Sequence, residues 1–142
     1  GFTRSIEPML ESIHKKALIL GTGGASKAIN YGQKSLGLET LLVSRSEKSG
    51  AITYSAVTPE IIKEYNVIVN CTPLGMYPNV DNCPNIPYEA MDSNTILYDL
   101  IYNPDETLFI KRGAEYGATT KNGVEMLLLQ AFASWEFWNG NE

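Results

Sequence analysis

Lys15-Lys16-Ala17-Leu18-Ile19-Leu20-Gly21-Thr22-Gly23-Gly24-Ala25-Ser26-Lys27-Ala28-Ile29 is the stretch from which the rest of the chain is read. Ala17 to Leu20 are all apolar, which predicts a strand covered on both faces. Gly21, Gly23 and Gly24 predict a tight turn that bares its N–H groups, and helix formers follow at once. The layout is G-x-G-x-x-S, with Ser26 in the third position. A helix N-terminus carries free N–H donors and partial positive charge, so the pyrophosphate of a dinucleotide can sit there. A plain structural turn would use the same glycines. The strand before and the helix after favour the nucleotide site.

Working outward, the helix is expected from Ala25 to Leu36, with Gly37 as its C-terminal stop. Leu41 to Val43 reads as a second buried strand, ending about 20 residues after Gly24 as a βαβ unit requires. NAD enzymes usually place Asp or Glu at that strand end to hold the adenosine ribose. Here the segment is Ser44-Arg45-Ser46-Glu47-Lys48-Ser49, with no acid at the end itself. Arg45 can lie along an adenine face or pair with a 2′-phosphate, Ser46 can donate to that phosphate, and Lys48 adds charge. Glu47 opposes them, and a solvated basic loop is the bland alternative. The missing acid together with Arg45 favours NADP over NAD.

The remaining elements follow the same alternation. Ile6, Met9, Leu10 and Ile13 put an apolar stripe on a helix ahead of the first strand, capped by Thr3 or Ser5. Two readings stay open for residues 1–14: a linker helix from an upstream domain, or an ordinary packing helix. Ile52–Tyr54 is a short strand, and Thr58-Pro59 starts a brief helix. Val67–Cys71 and Thr95–Leu100 are further strands, Thr107–Tyr116 is a helix stopped by Gly117, and Ala118–Lys121 is a last short strand. Asn122-Gly123 turns the chain into a long helix from Val124 to about Trp138, where Gln130 is the polar exception on an apolar segment. Alternating strands and helices predict an α/β fold with a doubly wound, mostly parallel sheet, a Rossmann-like domain over residues 15–142. Ligands of such sheets bind beyond the strands' carboxyl ends, which places Asn70 and Thr72 toward the cofactor.

Composition narrows the class. With 142 residues the chain is long enough for one core. A net charge of −5 argues against general affinity for nucleic acid or anionic membrane. No apolar run approaches the roughly 20 residues that cross a bilayer, and the N-terminus does not read as a secretory signal. Cys71 and Cys83 form no metal pattern and are expected as reduced thiols in a cytoplasmic protein. His14, the single histidine, cannot build a histidine metal site and is expected on the surface. A dehydrogenase also needs a proton-transfer group beside the substrate. Lys27, Asp99 and Tyr98 are the candidates, and none forms a visible acid–base couple.

The set Gly21–Ser26, Ser44-Arg45-Ser46, Asn70-Cys-Thr-Pro-Leu-Gly-Met76, Tyr98-Asp-Leu-Ile-Tyr-Asn-Pro104 and Asn122-Gly-Val-Glu-Met-Leu-Leu-Leu-Gln-Ala131 resembles the C-terminal NADP-binding domain of the shikimate dehydrogenase family. The resemblance covers nearly the whole chain, in order. It implies that Gly21, Thr22, Gly23, Gly24, Ala25 and Ser26 hold the pyrophosphate, and that Ser44, Arg45, Ser46 and Lys48 hold the adenosine 2′-phosphate. Thr72, Ile96 and Gly123 would line the nicotinamide half, with Met126 against the ring. Tyr98 and Gln130 would reach the substrate. The family's basic loop often reads Asn-Arg-Thr-x-x-Arg; Ser44, Ser46 and Ser49 depart from it. The family's catalytic Lys and Asp belong to an N-terminal substrate domain, so no catalytic residue is assigned in this chain. The implied function is the cofactor half of an enzyme that reversibly reduces 3-dehydroshikimate to shikimate with NADPH, inactive as a fragment. The alternatives are a quinate/shikimate dehydrogenase using NAD and a non-catalytic dinucleotide-binding module.

Overall fold

A computed structural model describes residues 2–129. Six strands form one all-parallel sheet: β1 (Lys16–Leu20), β2 (Glu39–Ser44), β3 (Ala51–Thr53), β4 (Val67–Asn70), β5 (Ile96–Asp99) and β6 (Thr119–Lys121), in the spatial order β3-β2-β1-β4-β5-β6. The order reverses between β1 and β4, and that switch point opens the crevice at the carboxyl edge. Helices α1 (Phe2–Ile6), α2 (Gly24–Ser35), α3 (Pro59–Glu64) and α4 (Leu108–Glu115) flank the sheet, and residues 124–129 are helical. The doubly wound expectation holds, and so do the strand–turn–helix at Gly21 and the stops at Gly37 and Gly117, both with left-handed φ.

Side chains alternate across each strand, so the core lies in two layers. Leu18, Leu20, Ile68 and Leu97 pack with Ile62 and Phe109 on one face. Ala17, Ile19, Val69, Ile96 and Tyr98 pack with Phe2, Ile6 and Ile29 on the other. Ile19, Leu20 and Val69 are fully buried, each worth about 1.5–3 kcal/mol in removed apolar surface.

The N-terminal segment differs from expectation. Only Phe2–Ile6 is α-helical, and Glu7–Met9 is a 3₁₀ turn with Pro8 in it, because proline removes the N–H that would continue the ladder. Ile13 is exposed, off the predicted stripe. Ser5 is no cap. It is buried and accepts a 2.7 Å hydrogen bond from the Tyr98 hydroxyl, while Lys121 Nζ donates to its carbonyl. Phe2 meets Tyr98 edge-on at 5.0 Å between centroids, and the helix lies so close over Gly32 that a Cβ there would come within 3.0 Å of Thr3 Cγ2. The packing reading of α1 is therefore met. His14 is buried, not superficial: its Nδ1 accepts from the Glu11 N–H at 2.9 Å and its Nε2 donates to the Asn94 carbonyl at 2.7 Å. The ring closes one turn and ties it to the start of β5, a contact 80 residues distant that local polarity could not disclose.

Candidate functional site

β1 delivers the chain to the glycine turn. Gly21 has φ +113°, and a Cβ there would sit 3.4 Å from Thr72 Cγ2 and 3.5 Å from the Cys71 backbone. Its N–H continues the ladder to the Val43 carbonyl at 2.9 Å. Gly23 and Gly24 are different: added Cβ atoms would meet nothing within 4 Å. Their backbone faces open space at the start of α2, whose N-cap, Gly23, supplies no side-chain bond. First-turn N–H groups without a cap, on a surface with no side chain in the way, fit a pyrophosphate. Thr22, Gly24 and Ala25 lie along this turn. Ser26 departs from the predicted role: it is buried, and its hydroxyl is spent on the Gly23 carbonyl at 2.6 Å. It serves the close packing of helix on strand, and its side chain cannot also hold a phosphate.

The loop after β2 meets the turn. Gly21, Thr22, Gly23, Ser44, Arg45, Ser46 and Lys48 line one hollow of about 400 Å³, closed on the far side by Tyr54 and Thr72–Leu74. Arg45, Ser46 and Lys48 are exposed at its rim. Ser44 is buried and accepts from the Ser46 N–H at 3.3 Å, so it shapes the loop from beneath instead of offering a free donor.

At the ends of β4 and β5 lies a buried polar junction. Asp99 is fully buried. Its Oδ1 accepts from Asn70 Nδ2 and the Ile101 N–H, each at 3.1 Å, and its Oδ2 accepts from the Thr107 hydroxyl at 2.6 Å. Asn70 Oδ1 in turn accepts from the Thr72 N–H at 3.0 Å and hydroxyl at 2.6 Å. Burial raises the Asp99 carboxyl to about 6, against the pull of Thr107, Ile101 and Asn70. Burial, with Asp99 adding, also pushes the Cys71 thiol up to about 12. Asn70 was expected to meet the cofactor; it is fully buried and orients Thr72 instead. Thr72 keeps its predicted place, in the wall shared by two hollows.

The second hollow, about 470 Å³, is lined by Ala25, Cys71, Thr72, Met76, Leu100–Asn103 and their neighbours. Its tyrosines are Tyr77 and Tyr102, both exposed, and sequence reasoning assigned neither. Tyr98 is not in it. Tyr98 shares the β5 face of Ile96 and spends its hydroxyl on Ser5, because successive residues of a strand point to opposite faces. Ile96 is also misplaced by the expectation. It begins β5, buried in the α1 layer and about 10 Å of strand away from the carboxyl edge. Gly123 is buried against backbone, where a Cβ would lie 2.1 Å from the Leu100 carbonyl oxygen. Met126 lines a third hollow with Phe2, Ala25, Ile29 and Leu100. Gln130 lies outside the described residues. Among the described residues, no helix is long and apolar enough to cross a membrane, and no three metal-binding side chains cluster.

No protein-family model matches the chain. It is similar to a shikimate dehydrogenase (NADP+) of Methanococcus maripaludis strain C6, at 35% identity over 92% of this chain and 51% of that protein. Among solved structures it matches a chorismate mutase/shikimate 5-dehydrogenase fusion protein of Clostridium acetobutylicum at 32% identity and TM-score 0.83, over 98% of this chain and 53% of that one. A shikimate dehydrogenase solved with NADP+ matches at 26% identity and TM-score 0.81, over 99% and 55%. The chain spans about half the length of the curated relatives it matches. By motif order, by sequence identity along its length and by strand order, the chain belongs to the shikimate dehydrogenase family as the counterpart of its C-terminal, NADP-binding half.

Proposed function

We propose that this chain is the cofactor-binding half of an NADP-dependent shikimate dehydrogenase, which reversibly reduces 3-dehydroshikimate to shikimate. The carrying observation is the common hollow walled by the glycine turn and by Arg45, Ser46 and Lys48, with Ser44 in place of an acid at the end of β2. A 2′-phosphate at that rim would be met by the Arg45 guanidinium, the Ser46 hydroxyl and the Lys48 ammonium. The pyrophosphate would lie on the Thr22–Ala25 backbone at the start of α2. The nicotinamide would continue past Thr72 toward Leu100 and Met126. NADPH supplies the hydride; these residues bind and orient it. On the substrate side, Tyr102 takes the place expected of Tyr98, with its hydroxyl in the hollow that Thr72 shares.

The partner of this surface is a substrate domain that supplies the catalytic Lys and Asp, so the 142 residues alone would bind NADP+ without turnover. The full-length protein given shikimate and NADP+ would gain NADPH absorbance; no turnover with shikimate or quinate would sink the reading. Titration of Arg45→Ala with both cofactors tests the NADP preference. NADP+ affinity should fall about tenfold or more, with NAD+ changed less than about twofold. Equal weakening of both would move Arg45 to the adenine face and leave the preference without support.

A further inference from the structure

The adenosine-side hollow contains one polar group that the phosphate contacts do not use. Tyr54 lies one residue past the Ser44–Thr53 pair of β2 and β3, as Arg45 does on the neighbouring strand. Its ring lines the hollow and packs on the core layer of Leu20 and Val43. Its hydroxyl is buried with no hydrogen-bond partner among the described residues. Burial holds the phenol above its usual range, with nearby Arg45 only partly offsetting this, so the group is neutral and can both donate and accept. A buried hydroxyl left unpaired is costly, and native structures keep few of them.

The hollow is layered. Its cations, Arg45 and Lys48, are exposed at the rim, whereas Val43, Leu74 and Tyr54 make a more buried, largely apolar wall. A doubly charged phosphate belongs at the rim, where it stays hydrated and paired. The inner wall suits a flat, neutral group that buries its faces and presents nitrogen at its edge. We propose that Tyr54 recognises the adenine base of the dinucleotide, its hydroxyl hydrogen-bonded to the purine edge. This deepens the dinucleotide reading above and rests on it. Division of labour follows: Tyr54 serves what NAD and NADP share, and Arg45 serves what separates them.

Calorimetric titration of wild type and Tyr54→Phe with NADP+, NAD+ and AMP tests this. All three should weaken by a common factor of about tenfold, leaving the NADP+/NAD+ ratio unchanged. Unchanged affinities would overturn the proposal, and so would a loss confined to NADP+, which would give the hydroxyl to the 2′-phosphate. Without ligand, the variant should melt at or above the wild-type temperature, because no bond is removed. A clearly lower melting temperature would show that the hydroxyl already has a partner and would remove the premise. Failure of wild type to bind any of the three would overturn the dinucleotide reading itself, whereas wild-type binding with an indifferent variant would overturn Tyr54 alone.

Discussion

Two turns at the carboxyl edge of one sheet are built in opposite ways. After β1, Gly23 and Gly24 present bare backbone to open space, and the helix that follows has no side-chain cap. After β4 and β5, Asn70, Thr72, Asp99, Ile101 and Thr107 spend their polar groups on one another. The first turn leaves donors for something from outside; the second fixes its own loops. A site that must grip a flexible dinucleotide needs both, a receptive surface and a rigid wall to hold it against.

The largest effect that would separate the two turns is steric. Gly123 seals the junction side, where the Cβ of Gly123→Ala would lie 2.1 Å from a backbone oxygen. Backbone cannot swing aside as a side chain can, so the variant should lose about 3 kcal/mol or more in urea unfolding. A loss under about 1 kcal/mol would mean that the junction is less rigid than drawn.

Next in size is the proton on Asp99. Its carboxyl sits near 6 in the folded chain against an ordinary value of 3.8, so folding takes up a proton between these values. The stability that this proton supplies is complete below about pH 4 and is lost as pH rises through 6. Wild-type stability relative to Asp99→Asn should therefore fall by about 2–3 kcal/mol from about pH 4 to pH 7. A flat difference across that range would show the carboxylate to be as well solvated by its partners as by water.

Smaller still is the effect at the receptive turn. Gly23→Ala meets nothing within 4 Å and should leave stability within about 0.5 kcal/mol, yet its methyl would occupy the space offered to pyrophosphate. NADP+ affinity should drop about tenfold, as read by the same titrations. Unaltered affinity would break the contrast from the receptive side. The smallest change lies behind that turn, on α2. Gln33 is fully buried with neither amide atom paired among the described residues. Gln33→Met should be neutral or stabilising by up to about 1 kcal/mol in thermal unfolding, because it removes an unpaired group without breaking a bond.

Local signals carried the glycine turn, the basic loop without an acid, the stops at Gly37 and Gly117, and the alternation that makes a parallel sheet. Each depends on residues within a few positions of one another, so period and turn chemistry suffice to read them. The order of motifs along the chain also identified the family. Packing alone decided which face a residue serves. Tyr98 and Tyr102 are four positions apart in one motif, yet the strand's alternation turns Tyr98 onto Ser5 while Tyr102 stands in the hollow past the strand end. Ile96 and Asp99 occupy opposite ends of β5, and only the end at Asp99 meets the crevice. His14 is buried through Asn94, Ser26 is folded back on Gly23, and Tyr54 enters the adenosine hollow from a strand that sequence left as an edge detail. In each case the deciding contact comes from the register and curvature of the assembled sheet. Spacing along a chain determines what an element is; which neighbour a side chain reaches is set only when the elements are packed.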